Sequence, residues 1–220
     1  MKKSVFLLAI ALVIATTTCS YAALIDLGMA TGSGELRMYQ IYNAMYGSVY
    51  TNNDQLEALE NNLAIGYGKY KSNSGTVGLV ARYAGAPVTM KYYDGTGDHD
   101  LTPPATNIPG GMNLYAPPVT QTYVVPATGE FGVWGLTSAG KFYSQKSLNS
   151  DGRYHFLVLN TPNPNKYLVG FEDKSVGADW DYNDFVFETS NIFATPEPAS
   201  MLLLGVGILG LFGLRRRKTA

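Results

Sequence analysis

Apolar residues recur at helical spacing near the start of the chain and stop before Gly47, a residue type that favours the left-handed end of a helix. These residues are Leu36, Met38, Ile41, Tyr42 and Met45. A second short helix is predicted from Asp54 to Asn61, because Asp54 and Glu57 have the spacing of a capping box. The pattern predicts a short helical pair that covers one end of a sheet or, alternatively, offers a docking surface.

From Ile65 onward the pattern changes to short runs rich in Val, Tyr, Phe and Thr, separated by Gly, Pro, Asn and Ser. The runs cover residues 77–84, 87–93, 120–125, 130–136, 154–160, 167–172 and 185–189. Short strands at this spacing are typical of a mainly β fold, so we predict a single, jelly-roll-like β-sandwich domain after the helical pair. Segment 101–118, rich in Pro, Gly and Asn, is predicted to be a long surface loop.

Both ends of the chain carry uninterrupted apolar runs. At the N-terminus, Lys2 and Lys3 precede an apolar run over residues 6–15, and small residues at positions 20 and 22 suit a signal peptidase that cuts after Ala22. Cys19 lacks the aliphatic residue that opens a lipoprotein signal. At the C-terminus, residues 199–214 carry no charge and measure about 24 Å as a helix, slightly short for a bilayer core, and flanking side chains can close that gap. A permanent tail anchor without further processing is the alternative interpretation of this segment.

The C-terminal segment also contains a recognisable combination of motifs. Pro196, Glu197 and Pro198 precede the apolar run, and Arg215, Arg216 and Arg217 follow it. This arrangement resembles the PEP-CTERM sorting signal. The resemblance implies that an exosortase handles the tail during export, with signal peptidase as the other processing partner, and that the protein reaches the envelope or exopolysaccharide matrix of a Gram-negative bacterium. The C-terminal helix would hold the chain in the inner membrane before processing.

These features predict how the chain is divided. The predicted segments are a signal peptide (1–22), the helices and first strands of the β domain (23–129), its second half with an acidic loop (130–189), a linker with the Pro-Glu-Pro motif (190–198), a transmembrane sorting helix (199–214) and a basic cytoplasmic tail (215–220).

Six of the 16 basic residues but only one of the 17 acidic residues lie in the processed ends. The remaining chain carries a net charge of −6, which argues against nucleic acid or anionic lipid as a partner.

Removal of the signal peptide also removes the only cysteine of the chain, so the mature domain can form no disulfide although it is exported. A hydrophobic core of this size is one means of stabilising such a domain outside the cell, and a structural metal ion is a second.

Six carboxylates crowd into the stretch FEDKSVGADWDYNDFVFE, residues 171–188. They are Glu172, Asp173, Asp179, Asp181, Asp184 and Glu188. The stretch connects two predicted strands, and Gly177 permits a tight turn between them. In an extended chain, Asp179, Asp181 and Asn183 would direct their oxygens to one side, with the intervening aromatic residues on the other.

Like charges at short range repel, so this stretch needs water, a bound cation or catalytic chemistry to offset the repulsion. Oxygen donors without nearby histidine or cysteine suit calcium better than zinc, and magnesium needs fewer carboxylates. An EF-hand is excluded because Asp184 occupies the place of its glycine and Ser190 the place of its last glutamate. The predicted calcium ligands are Glu172, Asp173, Asp179, Asp181, Asn183 and Asp184. The alternative is a solvated acidic loop that binds no ion.

The same stretch, with residues from about 130 onward, resembles a domain of unknown function that recurs in exosortase-sorted proteins and in calcium-dependent RTX adhesins. The resemblance lies in Phe171-Glu172-Asp173, Gly177 and residues 179–187. It implies a β-rich extracellular module, with calcium as an expected ligand and no established catalytic activity. Lys174 departs from the apolar residue usual in that family and places a cation near the proposed site.

A second acidic stretch, DGTGDHD, covers residues 94–100. Asp94, Asp98 and Asp100 are candidate ligands for a second metal ion, or for completion of the first site, and a plain turn is equally compatible with the pattern. Neither His99 nor His155 lies in the context of a catalytic nucleophile, and His155 is expected to be a packed or surface histidine of a strand.

We therefore predict that the protein is not an enzyme, and two functions remain open. One is a calcium-binding β-sandwich with a structural or adhesive role in the envelope or biofilm matrix. The other is a carbohydrate-binding module that retains exopolysaccharide on exposed Tyr and Trp faces, and an enzyme such as a glycoside hydrolase is disfavoured. Solvent-facing aromatic residues beside the acidic loop would favour the second function, whereas buried ones would favour the first.

Overall fold

The structure is a computed structural model, and it describes residues 28, 34–84, 88–101, 113–125 and 129–195. For residues 63, 66, 67, 73 and 113–124 it describes the backbone alone. The predicted signal peptide, the Pro-Glu-Pro motif, the sorting helix and the basic tail lie outside the described residues. Within the described part of the chain, no helix has the length and apolarity needed to cross a bilayer.

Among the described residues, three short helical elements precede the sheet: α1 (Met38–Tyr46), a 3₁₀ helix (Asn53–Leu59) and α2 (Asn62–Tyr67). Helix α1 ends at Gly47, whose φ of 65° is the left-handed conformation expected of a helix C-terminus, so this prediction is confirmed. The second predicted helix exists as the 3₁₀ element. Its capping residue is Asn52, whose side chain accepts the backbone N–H of Gln55, so the predicted capping box at Asp54 and Glu57 is wrong.

Nine strands follow in the part of the chain that the structure describes, and every pairing between them is antiparallel. They are β1 (Tyr70–Arg82), β2 (Thr89–Asp94), β3 (Gly97–Asp100), β4 (Asn113–Val125), β5 (Glu130–Thr137), β6 (Gly140–Tyr143), β7 (Phe156–Asn160), β8 (Lys166–Phe171) and β9 (Phe185–Ala194).

Strand β1 joins two parts of the sheet. Along most of its length it lies between β4 and β9, and β8 and β7 continue this part beyond β9. At its start, Tyr70 and Lys71 pair with Phe131 and Glu130 of β5, which belongs to the second part, β3-β2-β5-β6. A register shift between residues 72 and 76 interrupts the β1–β9 ladder beyond this junction.

The hydrophobic core lies between these two parts of the sheet. Phe171 at the end of β8 is fully buried, and its ring occupies the space where a Cβ at Gly135 of β5 would stand. Phe142 of β6 stacks on His155, with ring centroids 4.0 Å apart, and approaches Phe171 at 6.5 Å. The two inner faces therefore pack as in a β-sandwich, and the predicted mainly β fold is confirmed.

The strand predictions were correct for the seven apolar runs but incomplete elsewhere. The four-residue strands β3 and β6 were missed, because they are polar or glycine-containing hairpin partners of β2 and β5 without an apolar run of their own. Residues 113–118 belong to β4 and not to the predicted loop. Among the described strands β4 pairs with β1 alone, so it is an edge strand there. Proline is tolerated on an edge strand, because its missing N–H need not bond to a second neighbouring strand. Residues 190–194 belong to β9 and not to the predicted linker.

Replacement of Phe171 by alanine is expected to lower the free energy of unfolding by about 3–5 kcal/mol, because the ring is fully buried between the two parts of the sheet. The matched control is Phe193→Ala in β9, whose side chain is 37% exposed and should cost less than about 1 kcal/mol. Urea denaturation of the two variants measures both values. Equal losses would contradict the proposed location of the core.

Candidate metal centre

The acidic stretch forms the connection between two adjacent strands. Phe171, the last residue of β8, pairs with Phe185, the first residue of β9, so residues 172–184 form the loop of a long hairpin. Gly177 adopts a φ of 72°, as the turn prediction requires. The hairpin-like unit predicted from the sequence is therefore present at one end of the sheet.

The backbone of this loop is not extended, contrary to the prediction. Trp180 and Tyr182 adopt left-handed conformations, with φ values of 57° and 58°. This conformation is costly for residues with a Cβ, by roughly 1–2 kcal/mol each. Burial of the Tyr182 ring and a hydrogen bond from its hydroxyl to the Tyr154 carbonyl, 2.9 Å away, help to hold the loop in this shape.

The carboxylates of the loop gather into two groups, each defined by oxygens that lie within 4.8 Å of one another. The strand-end group consists of Glu172, Asp173 and Asp184. Its members are held by the backbone: the Glu172 N–H donates to the His155 carbonyl at 3.0 Å, and the Asp173 N–H donates to Asp184 Oδ2 at 2.9 Å.

The second set, here called the loop group, consists of Glu35, Asp179 and Asp181. Asp181 Oδ1 accepts the backbone N–H of Asn183 at 3.2 Å. Glu35 lies just before α1, far from the acidic stretch in sequence, and the sequence analysis did not identify it. The only sequence signal was its place ahead of a predicted helix, which carries no information about a partner more than 140 residues away.

Several oxygens in these groups are buried without a hydrogen bond. Glu172 and Asp181 are each 1% exposed, and neither Glu172 Oε2 nor Asp181 Oδ2 has a hydrogen-bond partner among the described residues. Asp173 Oδ1 also makes no hydrogen bond there and lies 3.8 Å from the exposed ammonium group of Lys174. Buried polar atoms are rarely left unpaired, and an unpaired charged oxygen is the costliest case.

Burial and mutual repulsion both disfavour ionisation of these carboxyls. Desolvation, followed by the charges of Asp184 and other neighbouring aspartates, raises the pKa of Glu172 to about 9. Desolvation is also the main cause that raises the pKa values of Asp181 and Asp184 to about 7. The pKa of Asp173 is raised by burial, although the nearby cations of Lys174 and Arg82 oppose that shift.

The six predicted ligands thus occur in one loop but not in one cluster. Five carboxylates divide between the two groups, while Asn183 uses its side-chain amide to donate a hydrogen bond to the Leu36 carbonyl at 3.0 Å. Glu188 lies outside both groups, on β9, where it accepts hydrogen bonds from Lys166 Nζ and the Tyr46 hydroxyl. His155 is fully buried and packed, with both ring nitrogens near the oxygens of Asp151 and Glu172.

The second acidic stretch forms the β2–β3 hairpin, and its three carboxylates do not form such a group among the described residues. Asp94 Oδ1 accepts hydrogen bonds from the Thr96 and Gly97 N–H groups of the turn. Asp98 accepts the indole N–H of Trp134, and Asp100 pairs with Lys91 at 3.2 Å. Turn formation and cross-strand pairing therefore engage these side chains.

Both groups of the loop offer oxygen donors only. Oxygens that ligate one calcium-sized ion at 2.3–2.6 Å lie at most about 5 Å apart, which matches the spacing within each group. The donor set therefore suits a hard divalent cation and offers no nitrogen or sulfur ligand for zinc.

Comparison with known proteins assigns two segments of the chain. Residues 120–191 match the domain of unknown function DUF4114, and residues 194–218 match the PEP-CTERM protein-sorting motif. The sorting motif indicates an exosortase-sorted protein that is exported to the cell envelope or extracellular space of a Gram-negative bacterium. No curated protein and no solved structure matches the chain. The acidic loop lies inside the matched domain, whereas Glu35 lies outside it.

Without divalent cations, the free energy of unfolding is expected to fall as the pH rises from about 5 to 9. The folded-state pKa values of Glu172, Asp181 and Asp184, about 9, 7 and 7, lie above their ordinary values of 4.5, 3.8 and 3.8. The folded state therefore binds more protons than the unfolded state over this range, and its stability is lost as these carboxyls ionise. Urea denaturation in the presence of a chelator at several pH values measures the slope. Glu172→Gln should flatten it, and a slope of the opposite sign would contradict this reasoning.

Proposed function

We propose that this exported, exosortase-sorted protein is a calcium-binding β-sandwich module with a structural or adhesive role in the envelope or extracellular matrix. The observation that carries the proposal is the strand-end group. Its buried Glu172 Oε2 and Asp173 Oδ1 have no hydrogen-bond partner among the described residues, and its three acidic side chains lie within reach of one ion. A cation bound there would supply the missing partner and remove the repulsion.

Calcium is the cation that the donor set favours. It accepts six to eight oxygen ligands in flexible geometry, including backbone carbonyls and water, so three carboxylates can form part of its shell. Magnesium demands a tighter octahedron at 2.0–2.1 Å and retains more of its water, so a buried group of three carboxylates suits it less well.

The position of the strand-end group supports a structural role. Glu172 and Asp173 follow the last residue of β8, and Asp184 precedes the first residue of β9, so a shared ion would tie the two strand ends together. The domain has no cysteine after the predicted signal, and ion binding that is coupled to folding would supply a cross-link by other means.

The distribution of aromatic residues favours this role over carbohydrate binding. Tyr and Trp side chains within the described set are buried or half-buried, and none is fully exposed. Beside the acidic loop, Tyr182 is buried and Trp180 is half-buried, with the Arg153 guanidinium 4.7 Å from its ring centroid. A flat sugar-binding platform needs rings that face solvent. We accordingly propose a role without an aromatic glycan platform, and the absence of enzymatic activity stays a prediction from the sequence.

Calcium is expected to raise the melting temperature of the full chain in mild detergent relative to a chelator. At a calcium concentration one hundred times Kd, the added stability is about 2.7 kcal/mol. Glu172→Gln should lose most of this increase, because it removes a buried charge of the strand-end group. Differential scanning calorimetry measures the shift, and magnesium at the same concentration should give a smaller one.

Glu188→Gln is the matched control, since Glu188 lies on β9 close in sequence but outside both groups. This variant should lose its ion pair with Lys166 and still show the full calcium-dependent shift. Identical melting curves of the unmodified chain with calcium and with chelator would refute the proposed function.

A further inference from the structure

The acidic loop is also a docking surface for the N-terminal segment of the domain. The Gly28 N–H donates to the Trp180 carbonyl at 2.7 Å, and the Asn183 amide donates to the Leu36 carbonyl at 3.0 Å. A Cβ at Gly28 would overlap the carbonyl of Asp179, so this approach of the two backbones requires glycine. The segment before α1 therefore contacts the loop at two places.

Asn53 extends this junction to the 3₁₀ helix. Its side-chain amide donates to the Gly28 carbonyl at 2.7 Å, and its Oδ1 accepts the backbone N–H of Tyr39 in α1 at 3.1 Å. Asn53 is 2% exposed, so these hydrogen bonds are shielded from water. The four hydrogen bonds named here join neutral groups and are 2.7–3.1 Å long.

The charges at the junction act in the opposite direction. Glu35 reaches the loop from the N-terminal segment, and its carboxylate lies within 4.8 Å of oxygens of Asp179 and Asp181. The charge of Glu35 contributes to the raised pKa of Asp181, as do those of Asp179 and Asp184. When they are ionised, the three carboxylates repel one another across this contact.

We propose that the loop group is a second calcium site, in which Glu35, Asp179 and Asp181 hold one ion that fastens the N-terminal segment to the acidic loop. The independent observation beside the acidic cluster is Asp181 itself, which is 1% exposed and whose Oδ2 has no hydrogen-bond partner among the described residues. This inference rests on the proposed function, since it assigns a second ion to the same loop.

The second ion has a different structural effect from the first. An ion in the strand-end group joins the ends of β8 and β9 within the matched domain, whereas an ion in the loop group joins that domain to a segment outside the match. Met38 of α1 lies against Gly170 of β8, where its Cε would overlap an added Cβ. Calcium would thereby control how firmly α1 and the segment before it stay attached to the sheet.

Two measurements on the full chain in mild detergent test this inference. Native mass spectrometry counts the bound calcium ions, with two expected in the unmodified chain and one in Glu35→Gln. Trypsin reports the attachment, because Arg37 is the only basic residue between Ala23 and Lys69. Trypsin cleaves after Arg37 when the N-terminal segment opens locally, and calcium that binds only the closed state lowers the population of the open state. At a calcium concentration ten times Kd, this cleavage should slow about tenfold in the unmodified chain.

Glu35→Gln should keep the calcium-dependent rise in melting temperature from the strand-end group but lose the protection at Arg37. Glu57→Gln, in the adjacent 3₁₀ helix and outside both groups, is the control with the same change in charge and should retain both. Asp179→Asn serves as a second variant if Glu35→Gln fails to fold.

One bound ion in both the unmodified chain and Glu35→Gln, with equal protection at Arg37, overturns this inference and leaves the proposed function intact. No bound ion in the unmodified chain overturns both.

Discussion

Repulsion among buried carboxylates at one end of the β-sandwich is the interaction on which the rest of the structure depends. Glu172 and Asp181 are shielded from water, and the neighbouring acidic side chains raise their pKa values further. Without a cation, desolvation and like charges both oppose ionisation of these carboxyls. The strongly raised carboxyl pKa values of Glu172, Asp181 and Asp184 all belong to the one connection between β8 and β9.

Several elements hold this connection in place. The Asp184 carbonyl accepts the backbone N–H groups of Tyr83 and Ala84 beyond β1, both at 3.2 Å. The Thr137 hydroxyl of β5 donates to the Asp173 carbonyl at 2.9 Å, and His155 before β7 contacts the Glu172 carbonyl. These hydrogen bonds fix the backbone from three sides and limit how far the carboxylates can move apart. Such preorganisation is what a rigid metal site requires.

The location of the protein outside the cytoplasm bears on how this acidic loop could be stabilised. The sorting motif directs the chain out of the cytoplasm, and the domain lacks cysteine after its predicted signal peptide. Under the proposed function, calcium outside the cell would complete the fold only after export, since an ion bound to the folded state alone stabilises it by mass action. Two ions with separate ligands would stabilise the sheet and the N-terminal attachment independently.

The sequence by itself determined the features that are local along the chain. The end of α1 at Gly47, the seven apolar strands, the turn at Gly177 and the sorting segment each depend on neighbouring residues, whose propensities and spacing are visible in the sequence. Sequence reasoning also identified the carboxylates of the acidic loop, because they are adjacent. Only the tertiary structure decided that they divide into two groups and that Glu35 completes one of them. That division depends on the left-handed residues Trp180 and Tyr182 and on the packing of a distant segment against the loop, and neither leaves a periodic signal in the sequence.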